Sequence, residues 1–247
     1  MINEMWFNGK SSRDAGVRHI EHFPDMNRPE RKTEVVEIPG RSGDIIFMSD
    51  AWNNIEREYD IFAGDGSRGT APGKFISISE WLNSAKGYAR LEDTYEPDVF
   101  RLAYCTGGYE ADNAFTRYGR ATITFNCRPE RFLKSGEREI EVANGDILLN
   151  STAYAANPLI KVSCTNSAAL GSITIETDRD EYEIEFLSKP TTEVIIDSDL
   201  MDTYLESGAS RNSTVSIDYY PKLDPGQAYF TIPTGYTVKV VPRWFVI

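Results

Sequence analysis

Cysteine and histidine are scarce in this chain. The three cysteines, Cys105, Cys127 and Cys164, are an odd number without a CxxC spacing. That argues against a disulfide framework and a zinc site and leaves them as small buried fillers. Two histidines, His19 and His22, give a Ser-His-Asp triad little to draw on, and there is no G-x-S-x-G elbow. Their i, i+3 spacing suits a metal on a helix. Pro24 and Pro29 argue against a helix there, and in a strand the pair faces opposite ways. No apolar run reaches the ~18 residues of a membrane span. The stretch Met1-Ile-Asn-Glu-Met-Trp-Phe7 lacks a basic start and an apolar core of signal-peptide type, so synthesis and folding in a cytoplasm are expected. Basic charge is also short: 26 Lys and Arg face 38 Asp and Glu, a net of −12. Residues 1–134 carry 18 basic and 21 acidic side chains, residues 135–247 carry 8 and 17. Without a basic stripe the chain is poorly suited to gripping phosphates.

Motifs that carry chemistry are equally thin. Gly9-Lys10-Ser11 has the end of a phosphate-binding loop, but Glu4 stands where the loop's first Gly belongs. Asp197-Ser-Asp199 with Asp202 fails the EF-hand pattern, because Met201 and Asp202 occupy the positions of a ligand and a Gly. Glu181, Glu183 and Glu185 alternate with Tyr182, Ile184 and Phe186, the pattern of a half-buried strand with a solvated outer face. Glu137, Glu139 and Glu141 repeat it. No catalytic residue, metal or cofactor is expected. Aromatics are plentiful, with 4 Trp, 13 Tyr and 12 Phe, and exposed ones would serve sugar stacking or protein interfaces.

What is present is β-structure. Residues 33–38 and 45–48 are rich in Val, Ile and Phe and predict two strands. Between them Pro39, Gly40, Arg41, Ser42, Gly43 and Asp44 supply a residue that cannot donate to a ladder and two that take positive φ, so the chain reverses. A short helix is expected over 78–86: Ser77 and Glu80 form a capping box, Ile78, Trp81, Leu82 and Ala85 make one stripe, and Gly87 is placed to stop it. Ala121, Ile123 and Phe125 alternate in a strand, and Pro129 and Gly136 mark a domain boundary near 127–137. Beyond it, residues 138–142 and 146–149 flank Ala143-Asn-Gly145, a strong hairpin signal. Strands follow at 158–164, 172–177, 181–187, 193–196, 214–219, 228–232 and 236–241, which predicts two packed sheets.

The segment Glu37-Ile-Pro-Gly-Arg-Ser-Gly-Asp-Ile45 resembles the start of the distal tail proteins of long-tailed phages. The likeness continues in order through Phe7-Asn-Gly-Lys-Ser-Ser-Arg-Asp14, residues 78–82 with Leu91, Phe125-Asn-Cys-Arg-Pro-Glu-Arg-Phe132, residues 195–199, residues 220–226 and Pro242-Arg-Trp244. The resemblance implies a mainly β protein. Residues 1–132 would be a ring-forming domain with one helix and a belt hairpin. Residues 137–247 would be a galectin-like β-sandwich whose last strand packs back on the first domain. It implies six copies in a ring, with the tail tube protein on one face and the tail-associated or fibre protein on the other. In some relatives the outer domains hold receptor-binding proteins. Pro39, Gly40, Arg41, Ser42, Gly43 and Asp44 are then expected at the interface between copies, with residues 33–48 and 64–73 as the two candidates for the belt. DNA would pass only in transit, past a neutral to acidic wall, and the protein would sit in the virion tail tip.

Two other readings compete with a structural hub. A sandwich with many aromatics is compatible with a carbohydrate-binding module contacting host envelope glycans. Acid pairs such as Glu183, Asp197 and Asp199 are compatible with a glycosidase, although such pairs recur on unrelated folds.

Overall fold

The computed structural model describes residues 3–22, 28–105, 107–115 and 117–247. Met1, Ile2 and Pro24, used in the readings of the leader and the histidine segment, lie outside them. The chain divides into two compact units, Met1–Arg131 with Ile247, and Phe132–Val246.

In the N-terminal unit the antiparallel strands lie in the order Lys10–Ser11, Met5–Phe7, Ala89–Asp93, Val99–Tyr104, Tyr118–Cys127, Ile55–Ala63 and Val17–Glu21. Tyr118–Cys127 is their spine. It pairs with Ile55–Ala63 from Gly119↔Ala63 to Cys127↔Ile55, and on its other side with Val99–Tyr104 only at Asn126 and Cys127. Strand alternation sends Tyr59, Ile61, Ala63, Ala121, Ile123 and Phe125 inward, where they join Met5, Phe7 and Ile20 in the core.

One α-helix, Ala71–Leu82, covers that core with Ala71, Phe75, Ile78, Trp81 and Leu82. It begins seven residues earlier and ends four earlier than the expected 78–86. Pro72 sits in the first turn, where its missing N–H has no partner to lose. Ser77 is therefore mid-helix, its hydroxyl donating back to the Gly73 carbonyl at 3.3 Å, and the apparent capping box caps nothing. The helix stops at Asn83, ahead of Gly87. Trp81 anchors it: Nε1 donates to the Phe7 carbonyl at 3.0 Å, and the two rings meet edge to face.

The C-terminal unit has two five-stranded antiparallel sheets. One runs Ile140–Val142, Tyr236–Val241, Leu159–Cys164, Val194–Asp197, Asp202–Leu205. The other runs Ile147–Asn150, Gly226–Thr231, Ser172–Thr177, Glu181–Phe186, Val215–Ser216. Their inner faces contribute Ile160, Val162, Ile173, Ile175, Ile184, Phe186, Phe230, Val238 and Val240 to one core. The Asn-Gly signal does not make a hairpin. Ile140–Val142 pairs with Tyr236–Val241 and Ile147–Asn150 pairs with Gly226–Thr231, so residues 143–146 carry the chain from one sheet to the other. Long-range bonds fix that corner: Gly145 N–H donates to the Phe230 carbonyl at 2.8 Å, and Asn144 Oδ1 accepts from Ile232 N–H at 2.9 Å. Strand Asp202–Leu205 escapes the sequence reading because it is short and polar. The expected strand 214–219 shrinks to Val215–Ser216 behind a 3₁₀ turn at Asn212–Thr214.

Candidate assembly surface

Strands Arg31–Val36 and Ile45–Trp52 form a sheet of their own, paired from Val36↔Ile45 to Thr33↔Met48, with a bulge before Arg31↔Trp52. At its base Asn53 N–H donates to the Glu30 carbonyl at 2.8 Å, and the Arg31 guanidinium lies over the Trp52 ring at 5.0 Å. At its tip Arg41 N–H donates to the Ile38 carbonyl at 3.1 Å across Pro39 and Gly40. Gly40 has φ of 82°, the left-handed third residue of a type II turn, and Gly43 has φ of 83°. Pro39, Gly40, Arg41, Ser42, Gly43 and Asp44 are all exposed there.

The arms carry a larger signal that sequence reasoning missed. Every residue of Arg31–Val36 is exposed, and so are Ile46, Phe47 and Met48 on the other arm, Phe47 at 58% and Met48 at 66%. Cross-strand pairs share a face, so Val36, Ile45 and Phe47 lie on one side and Val35, Ile46 and Met48 on the other. Both faces thus carry exposed apolar side chains, with Glu34 on the first and Thr33 on the second. The sequence signal was the absence of strict alternation: Val35-Val36 and Ile45-Ile46-Phe47-Met48 are apolar at consecutive positions. The other belt candidate, residues 64–73, is not a hairpin. It is a turn closed by Asp65 Oδ1, which accepts from Ser67 N–H and Thr70 Oγ1, and it leads into the helix.

Two charged clusters elsewhere are spent on packing. Arg57, buried in the N-terminal unit, donates from Nε to Tyr59 Oη at 2.8 Å and from Nη2 to Asp93 Oδ2 at 2.9 Å, and its Nη1 lies 2.9 Å from Glu96. Burial alone would push the Asp93 carboxyl up. Arg57's charge and the Tyr59 hydroxyl outweigh it and hold the carboxyl below its ordinary range. Asp197, in the C-terminal unit, takes both arms of Arg243 at 2.7 and 2.8 Å. Burial acts upward on its carboxyl too, and the Arg243 bonds bring it below the usual value. Glu183 lies on the outward face of the other sheet, so Glu183 and Asp197 do not face each other as an acid pair. His19 is exposed, while His22 is buried with Nδ1 2.7 Å from the Glu58 carbonyl. Among the described residues no group of three His, Cys, Asp or Glu is placed to hold a metal ion, and no helix is long and apolar enough to cross a membrane.

No protein-family model matches the chain, and no curated protein matches it in sequence. Solved structures do match in fold. The Dit protein (gp 19.1) of phage SPP1, described as a paradigm of the hub adsorption apparatus in phages infecting Gram-positive bacteria, is similar with a TM-score of 0.75 at 13% identity, over 100% of both chains. A chain of the phage P2 baseplate in its activated conformation with Ca is similar with a TM-score of 0.54 at 10% identity, covering 97% of this chain and 98% of that one. The Sr form of the same baseplate gives 0.52 at 10% identity. The mainly β fold, with one α-helix among the described residues, matches the fold of Dit.

Proposed function

We propose that this chain is a distal tail protein: a non-enzymatic hub of a phage tail tip that closes, six copies head to tail, into a ring. The observation that carries the reading is the hairpin Arg31–Val36/Ile45–Trp52, a two-stranded sheet with apolar side chains on both faces and, among the described residues, no covering strand. Such a hairpin is marginal by itself in water. Each Val, Ile, Phe or Met buried fully against a neighbour contributes ~1.5–3 kcal/mol, so a partner surface explains residues that the monomer does not. Laid on the next copy around a circle, the hairpin gives a heterologous contact that closes by rotation. The fold likeness to the SPP1 hub and to the P2 baseplate chain supports the same placement.

In this role one ring face meets the major tail tube protein and the other the tail-associated or fibre protein, with receptor-binding proteins as further partners of the outer unit. The lumen is a passage for DNA. Assembly takes place in the host cytoplasm, before the tail tip is complete. Native mass measurement and electron microscopy of the purified chain, alone and with its tube and tail-associated partners, test this. Six-membered rings are expected in at least one of those mixtures. Solitary particles in all of them would overturn the reading.

A further inference from the structure

The two sheets of the C-terminal unit treat their outward charges differently. On the first, Glu139 accepts from Lys161 Nζ at 2.6 Å and lies 3.2 Å from Lys239 Nζ, which is also 4.0 Å from Glu193. That face is balanced by cross-strand pairs. On the second, the register sets Ile147, Tyr229, Glu176 and Glu181 in one row across four strands. Glu176 and Glu181 are directly opposite each other, an arrangement of like charges that destabilises a strand pair. Thr174 stands opposite Glu183, and Ser172 and Ser216 flank Glu185, so no cation answers them in the register. Beside this acidic lane is an apolar one: Leu149 is 64% exposed next to Ile147 and Tyr229, on the strand that begins the sheet. A local rule broken without local compensation marks a surface kept for contact.

We propose that this outward face docks a protein whose contact surface sets an apolar ridge beside a row of Lys and Arg. The apolar ridge covers Ile147, Leu149 and Tyr229. The cations meet Glu176, Glu181, Glu183 and Glu185, and the acidic lane continues along the groove formed with Ser216, Asp218 and Tyr219. Strand spacing puts the two lanes ~10–15 Å apart, the width of a helix or a strand pair rather than of one extended chain. The surface stands whether or not the chain forms a ring.

The test uses the full chain and two helical peptides, one with a Leu stripe beside a Lys stripe, the other with Glu replacing Lys. The Lys peptide is expected to shift backbone amides of residues 147–149, 174–176, 181–185 and 227–231, and to bind less tightly as salt rises. Leu149→Ser, and Glu181→Lys with Glu183→Lys, are each expected to weaken it ~10-fold, about 1.4 kcal/mol. Glu139→Lys should leave it unchanged, and the Glu peptide should not bind. Glu181→Lys alone should raise the melting temperature of the free protein, because it removes the repulsion with Glu176. Equal binding of both peptides, shifts on the other sheet, or a lowered melting temperature for Glu181→Lys would each overturn the proposal. So would glycan capture that depends on Tyr219 or Tyr229 while the peptides are ignored.

Discussion

Arg57 decides how the interior of the N-terminal unit is held. A guanidinium only 3% exposed cannot stay charged without partners, and Tyr59, Asp93 and Glu96 supply them. Arg57→Met leaves the buried Asp93 carboxylate without its cation, while Glu96 keeps Arg101 and Arg131, and a loss of about 3–5 kcal/mol in urea unfolding is expected. The same groups set the acid limit of the fold. The Asp93, Glu96 and Asp197 carboxyls all lie below their ordinary values, since their arginine partners outweigh the upward push of burial. A carboxyl lowered on folding adds stability that is complete above its unfolded value, ~4, and is lost as pH falls through the lowered folded value. Thermal unfolding followed from pH 6 to pH 2 should therefore show a falling midpoint below about pH 4. Asp197→Asn should lower the midpoint at pH 6 and flatten that fall. A midpoint independent of pH in this window would mean that the ion pairs do not form in solution.

At the scale of elements, exposure separates structural roles from the assembly role proposed for the hairpin. Phe47→Glu changes a side chain that touches solvent, so the melting temperature of the monomer should move little, within the ±0.5 kcal/mol usual for surface sites, while the proposed ring should fail to form. Hydrogen exchange gives the complementary readout: hairpin amides between residues 31 and 52 should exchange fast in the monomer and slow down in the assembly. The helix supplies a second contrast. Ser77 sits inside Ala71–Leu82, so Ser77→Ala should leave stability unchanged or raise it slightly, whereas a true cap would lose ~1 kcal/mol. These elements also show where sequence was sufficient. Strands Ser172–Thr177, Glu181–Phe186 and Tyr236–Val241 follow from alternation, because their pattern is written in consecutive residues. The Asn-Gly corner, the early helix start at Pro72 and strand Asp202–Leu205 depend on partners far along the chain, which local pattern does not encode. The exposed hairpin proposed for assembly was half legible. Its turn residues were visible, but apolar strands look alike whether they enter a core or await a neighbour.

For the molecule as a whole, net charge and apolar contact pull in opposite directions. Each copy carries −12, and copies brought side by side in the proposed ring would repel one another. The exposed hairpin residues Val35, Val36, Ile46, Phe47 and Met48 offer an attraction that does not depend on charge. Salt screens the first and leaves the second in place, the Debye length shrinking from about 30 Å at 0.01 M to about 8 Å at 0.15 M. Ring formation should therefore strengthen as NaCl rises from 0.01 to about 0.5 M, the opposite of an assembly held by ion pairs. Sedimentation or mass photometry across that range measures it directly. If the proposed ring carries DNA, the same balance predicts a neutral to acidic lumen, because a channel rimmed with Arg and Lys would attract passing DNA and lose grip on it only at high salt. Rings that dissolve as salt is added would transfer the burden from the hairpin to salt bridges between copies. Phe47→Glu would then leave assembly intact, which separates the two mechanisms in one protein.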